Sequence, residues 1–183
     1  RFLCKYSTRG YFMDNENMKS LKIYFAAGVI FSAVLGTLSH FFYEWSGQNP
    51  VVALVSPINE STWEHMKLVF FPVLVWSLLL PAGIRKDFPA MRCALLAGGL
   101  LGTWLVPVLF YTYSGILGRN LALIDIGIFY TAVLAAFWTA WKLRDSERAE
   151  KACPLILFFS AVMLLAFFLF TFAPPDIGLF AKP

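Results

Sequence analysis

Five long apolar blocks decide what this chain can fold into. They cover residues 21–43, 66–84, 93–113, 121–142 and 154–173, each near the roughly 20 residues that carry an α-helix across the hydrocarbon core of a bilayer. In lipid the backbone must satisfy its own hydrogen bonds, so runs this continuous are helices. Charged residues make up only 14% of the 183 residues, against about a quarter in soluble domains. The expectation is an all-α integral membrane protein, a bundle of about five transmembrane helices over 21–173. It lies between an N-terminal tail, 1–20, and a C-terminal segment, 174–183.

Charge placement gives the orientation. Of the 15 Lys and Arg, 12 fall in the tail (Arg1, Lys5, Arg9, Lys19) or at alternate segment ends (Lys22, Arg85, Lys86, Arg92, Lys142, Arg144, Arg148, Lys151). Lys67, Arg119 and Lys182 fall on the other side. The positive-inside rule then places the N-terminus in the cytoplasm and the C-terminus outside. An odd number of spans agrees with termini on opposite sides. The net charge of +4 is therefore topology and not a nucleic-acid footprint. Cys4, Cys93 and Cys153 fall on the cytoplasmic side, where thiols are expected to stay reduced, and lack metal-type spacing. The first apolar run is long enough to remain as a span and is not read as a cleavable signal.

Within the first helix Gly28, Ser32, Gly36, His40 and Glu44 recur every four residues and share one face. Small residues at that spacing let another helix approach closely, so the stripe points into the bundle and presents His40 and Glu44 at its outer end. The connection over 46–58 is too short to span and reads as a re-entrant or interfacial segment. Asn59 or Ser61 starts the second helix, Pro72 kinks it, "AGGLLG" suits close packing in the third, and Asp125 opens the fourth.

The polar residues converge on the outer leaflet, most densely in "SPINESTWEHMK", residues 56–67. Ionisable groups near a span are costly and mark functional sites by default. Glu60 and Glu64 are four apart on one face beside His65, and His40 with Glu44 repeats the His/Glu pairing. With the outer ends of the two helices together, two imidazoles and up to three carboxylates surround one point. That set suits zinc or another divalent metal, with His40, Glu44 and His65 as ligands and Glu60 or Glu64 as catalytic base. Without metal, a carboxylate beside an imidazole could serve as acid and base. Structural readings stand beside these. Ser61-Thr62-Trp63-Glu64 fits a capping box, Glu60 suits the helix dipole, and Trp45 and Trp63 sit where aromatic belts sit. Asn59-Glu60-Ser61 matches a glycosylation sequon by chance. Tyr111 and Tyr113 read as interface anchors or site groups, Asp125 as a dipole partner or a site carboxylate, and His40 as a ligand or a helix–helix hydrogen-bonding group.

"SHFFYEW", "SPINESTWEHMK", "FYTYSGILG" followed by "DIGIF", and "PPDIGLF" together resemble a family of small multipass prokaryotic membrane proteins catalogued only as a domain of unknown function. The resemblance covers about residues 21–180. It implies about five spans in a prokaryotic cytoplasmic membrane and attention to His40, Glu44, Asn59, Glu60, Glu64, His65, Tyr111, Tyr113 and Asp125, and it implies no activity. Asp176 and Lys182 depart from the expected pattern, in which a histidine and an acidic residue are usual.

The functional expectation is a membrane-embedded hydrolase working at the outer leaflet on a lipid or envelope substrate, through a metal-bound or Glu/His-activated water. A small-solute or ion transporter would use the same carboxylates, but no matched pair of broken segments points to an inverted repeat. A non-catalytic subunit docking a protein partner would use the aromatic surround of the box.

Overall fold

The computed structural model describes residues 15–181, and among these every regular element is helical. Helices α1 (Asn15–Trp45), α3 (Thr62–Leu78), α5 (Met91–Leu117), α6 (Ala122–Leu143) and α8 (Cys153–Phe172) run lengthwise. The connectors α2 (Pro50–Ala53), α4 (Ala82–Asp87) and α7 (Glu147–Lys151) are short, and a 3₁₀ turn, Gly178–Phe180, follows α8. Helices α1, α5, α6 and α8 are long and apolar enough to cross a membrane.

Helix α3 differs from the expected span. It has 17 residues, roughly 25 Å at a rise of about 1.5 Å per residue. It starts at Thr62 with Ser61 as its cap, one of the two expected starts, and ends at Leu78, where the sequence reading continued to Ile84. Pro81 has no N–H with which to continue the ladder, so Ala82–Asp87 forms a separate short helix. Helix α1 begins at Asn15, inside the expected tail. The rest of that tail lies outside the described residues, as does Lys182.

Helix α3 occupies the centre. Trp63, Met66, Val69, Phe70 and Val73 are all buried. Helix α5 packs against α3 and, most extensively, against α6, while α1 closes the bundle against α3 and α6. Phe167 anchors α8, with its ring centroid 4.8 Å from Trp63 and 5.2 Å from Phe70. The outward faces remain apolar: Ile30 and Val34 on α1, Leu134 and Trp138 on α6, Leu165 and Leu169 on α8 are all exposed. So much contiguous apolar surface would be an aggregation liability in water, and it suits a multipass membrane protein.

The small residues do what their spacing predicts. A Cβ on Gly36 would stand 2.6 Å from the Leu68 carbonyl of α3, the carbonyl to which Pro72 offers no N–H. Ser32 on the same face is fully buried. Between α5 and α6, a Cβ on Gly98 would collide with the Ala136 carbonyl, and one on Gly102 would stand 2.7 Å from that of Ala132. Backbone against backbone is the contact that only glycine permits.

Tyr24, early in α1, donates to the Trp76 carbonyl late in α3 at 2.9 Å, so the two helices are antiparallel. The end of α1 and the start of α3 therefore meet at one end of the bundle. The end of α8 arrives there too, with Thr171 within hydrogen-bonding distance of Lys67. Near the other end Cys93 and Cys153 lie side by side at the starts of α5 and α8, with Cα atoms 5.4 Å apart.

Candidate functional site

The site is assembled where α1 ends and where α3 and α6 begin. Ser61 has extended backbone angles and its hydroxyl accepts from the Glu64 N–H, which starts α3. Asn59 Oδ1 accepts from the Ser61 N–H at 2.8 Å, an Asx turn that shapes the approach to the helix. Asn59 is thereby occupied with the turn. Its neighbour Glu60 projects outward between two histidines, with Oε1 3.6 Å from His40 Nε2 and Oε2 3.4 Å from His65 Nε2. The two imidazole rings lie 5.4 Å apart, centroid to centroid.

The hydrogen bonds of His65 carry information about the site. Its Nδ1 lies 2.9 Å from the Ser61 carbonyl oxygen, which can only accept, so Nδ1 carries a proton and donates. In the neutral ring Nε2 then presents a lone pair to Glu60, and two acceptors face each other. A cation between them, a proton or a metal ion, resolves that repulsion. Anchoring one imidazole nitrogen on a carbonyl is also how metal-ligating histidines are commonly oriented. The ligand atoms of His40, Glu60 and His65 all lie within 4.8 Å of one another. Zinc ligands about 2.0–2.1 Å from the ion at tetrahedral angles stand roughly 3.3 Å apart; here the two histidines are met by different oxygens of Glu60, at 3.6 and 3.4 Å.

This group forms one wall of a cavity of about 510 Å³, within the roughly 300–1,000 Å³ usual for ligand sites. Asp125 and Tyr130 of α6 line the facing side, and Leu68, Val106 and Ile128 form buried apolar walls. Asp125 accepts a hydrogen bond from the Tyr113 hydroxyl. That hydroxyl in turn accepts from the Leu121 N–H at 3.2 Å, which fixes Tyr113 and, through it, the carboxylate. Helix α5 stops nearby at Gly118, whose φ of +66° is left-handed and favours glycine.

Of the residues singled out in the sequence, His40, Glu60, His65 and Asp125 share this cavity, and Tyr113 supports it from behind Asp125. Glu44 is exposed at the end of α1 and stands outside the histidine–glutamate group. Glu64 is 3% exposed and faces away from the cavity, with Oε2 2.7 Å from Lys67 Nζ and 3.0 Å from the Ile58 N–H. The capping-box reading holds for Ser61, whereas the Glu64 side chain serves the loop and the lysine. Tyr111 donates to the Gly178 carbonyl at 2.9 Å and so tethers the C-terminal turn, whose Phe180 packs on Trp63.

Lys67 was legible only as an outer-side charge, and it is fully buried. Besides Glu64, its ammonium reaches the Ala53 carbonyl at 2.9 Å and Thr171 Oγ1 at 2.7 Å, with the Ser56 carbonyl at 3.5 Å. The 46–58 segment is therefore folded back and held at its carbonyl groups. Thr37 and Tyr130 also line the cavity and were missed. For Thr37 the available signal was helical spacing, three residues before His40; Tyr130, five after Asp125, is off that face and no spacing marks it.

Residues 13–183 match the model of DUF6512, a family of unknown function. No curated protein and no solved structure matches the chain.

Proposed function

We propose that this chain, which belongs to the DUF6512 family, is a membrane-embedded hydrolase. Its centre is a divalent metal ion, zinc by donor type, held by His40, Glu60 and His65 at the extracytoplasmic end of the bundle. The observation that carries this reading is the convergence of His40, Glu60 and His65, whose ligand atoms all lie within 4.8 Å of one another. Two imidazoles and one carboxylate form a ligand set found in catalytic zinc sites that keep a fourth position for water. Such an ion would supply a nucleophile near neutral pH by acidifying its bound water.

The chain's own groups take the remaining roles. Glu64 is committed to Lys67 and Glu60 is taken as a ligand, so Asp125 is the carboxylate left to accept the proton that water gives up. Tyr113 holds Asp125 in place. Hydrolysis adds the hydroxyl to the attacked acyl or phosphoryl centre and returns the proton to the departing alcohol. The apolar walls favour a lipid or lipid-linked envelope substrate over a small polar solute. The excess of Lys and Arg at the opposite end supports the outward orientation.

Metal content by mass spectrometry on detergent-purified protein is the direct test. Stoichiometric zinc is expected in the wild type and should be lost in His40→Ala and in His65→Ala, with helical content and elution volume unchanged. Folded wild-type protein that takes up no divalent metal after supplementation would overturn the metal centre.

A further inference from the structure

We propose that the cleft between α1 and α6 is a lateral portal through which a membrane lipid, bearing an acyl chain and an ester- or phosphoester-linked head, reaches the site from within the bilayer. This assignment rests on the hydrolase reading for what happens to the lipid, and on separate geometry for how it arrives.

The ionisable groups of the cavity lie at one end only. His40, Glu60, His65 and Asp125 gather near the helix ends, and the Glu60 side chain, 65% exposed, meets water there. Deeper in, the lining turns apolar. Its edge on the α1/α6 side is made by Thr37 and Phe41 of α1 and by Ile126 and Tyr130 of α6, all exposed. Thr37 lies more than two helical turns inside the end of α1 at Trp45, and Tyr130 as far inside the start of α6 at Ala122, roughly 12 Å of rise in each case. An opening at that depth on two spanning helices faces hydrocarbon.

The hydrogen bonds at the opening fit that surrounding. Thr37 Oγ1 donates to the Ala33 carbonyl at 2.8 Å, which commits its proton. The Tyr130 hydroxyl, 3.4 Å away, is then the donor of the Thr37–Tyr130 contact. Both hydroxyls are thus satisfied within the protein, as groups facing lipid must be. They form a sill that an acyl chain can cross without desolvating an unpaired polar group. An amphiphile laid over it would place its head linkage at the histidine–glutamate group and its chain against Val106, Phe110 and Ile128. The occupant's two chemistries match the two ends of the cavity.

The full chain is reconstituted in vesicles of phosphatidylcholine and phosphatidylglycerol in equal parts. A phosphatidylcholine with a diazirine on its acyl chain is added, photolysed, and its adducts mapped by mass spectrometry. Adducts are expected on Val106, Phe110 or Ile128 in addition to annular adducts on Leu165 and Leu169 of α8. Thr37→Trp, which fills the opening, should reduce the wall adducts about tenfold or more and leave those on α8 unchanged, as should Ile126→Trp if the first variant fails to fold. Leu134→Trp, on the lipid face of α6 away from the opening, should leave both sets unchanged. Annular adducts without wall adducts overturn the portal. So do wall adducts that persist in both filled variants, or that arise only from a water-soluble diazirine acid. Zinc is measured on the same preparations. Zinc without wall adducts removes the portal and keeps the metal centre; wall adducts without zinc keep the portal and remove the metal centre.

Discussion

Replacing Lys67 with methionine is expected to destabilise the protein by about 3–5 kcal/mol, the usual cost of breaking a buried ion pair from one side. The ammonium is fully buried and serves acceptors on four segments: Ala53 at the end of α2, Ser56 beyond it, Glu64 on α3 and Thr171 on α8. Without it the Glu64 carboxylate keeps only the Ile58 N–H, and a buried charge with one donor is far from satisfied. Hydrogen bonds alone are worth little inside membrane proteins, about 0.6 kcal/mol on average, so the charge sets the size of the effect. The double variant Lys67→Met with Glu64→Leu removes both charges and should recover most of the loss. Unfolding in mixed micelles, followed by tryptophan fluorescence, gives the comparison. A single variant within about 1 kcal/mol of wild type would mean that water reaches the pair and that it does not organise the loop.

That pair also shows why the chain was only partly legible. The long helices were readable because a span has a length and a composition that nothing else in a small protein imitates. The close approaches at Gly36, Gly98 and Gly102 were readable because helical periodicity puts small residues on one face. The start of helix α3 was legible from its cap at Ser61, although its first turn is polar, since Thr62, Glu64 and His65 serve the cap, the lysine and the site; its far end was misjudged for a local reason. At the far end Leu80 and Ile84 continue the apolar pattern past Leu78, although Pro81 ends the hydrogen-bond ladder.

The candidate site divides along a similar line. His40 and His65 could be paired in advance because one lies near the end of its helix and the other near the start of the next. The glutamates could not be sorted, because Glu60 and Glu64 differ by their surroundings and not by their spacing. Glu60 precedes the helix and points out between the histidines, whereas Glu64 lies in its first turn and is drawn inward by Lys67, three residues on. An i, i+3 pair of opposite charge is common on exposed helix faces, and nothing in the sequence marks this one as buried. Asp125 and Tyr113 meet only because α5 and α6 pack side by side, a long-range fact that spacing does not carry.

Widening the α1–α3 contact is expected to weaken metal binding at the proposed site without changing any of its three side chains. In Gly36→Leu the added Cβ would stand 2.6 Å from the Leu68 carbonyl and 2.6 Å from the Phe129 ring. The carbonyl is fixed in α3, so α1 must move or tilt, at a cost of about 1–3 kcal/mol for overpacking. Gly36 lies one turn below His40, so the displacement carries His40 away from Glu60 and His65, which belong to the α3 side. Losing the alignment of one ligand is expected to lower zinc affinity by about 10–100-fold, the range seen when the support of a ligand is removed. Gly115→Ala is the matched control, since a Cβ there meets nothing within 4 Å and should leave zinc binding intact. Competition with a fluorescent zinc chelator reads the affinities of both variants beside wild type. Wild-type affinity in a folded Gly36→Leu would mean that His40 does not need α1 held against α3, and that Glu60 and His65 hold the ion without it.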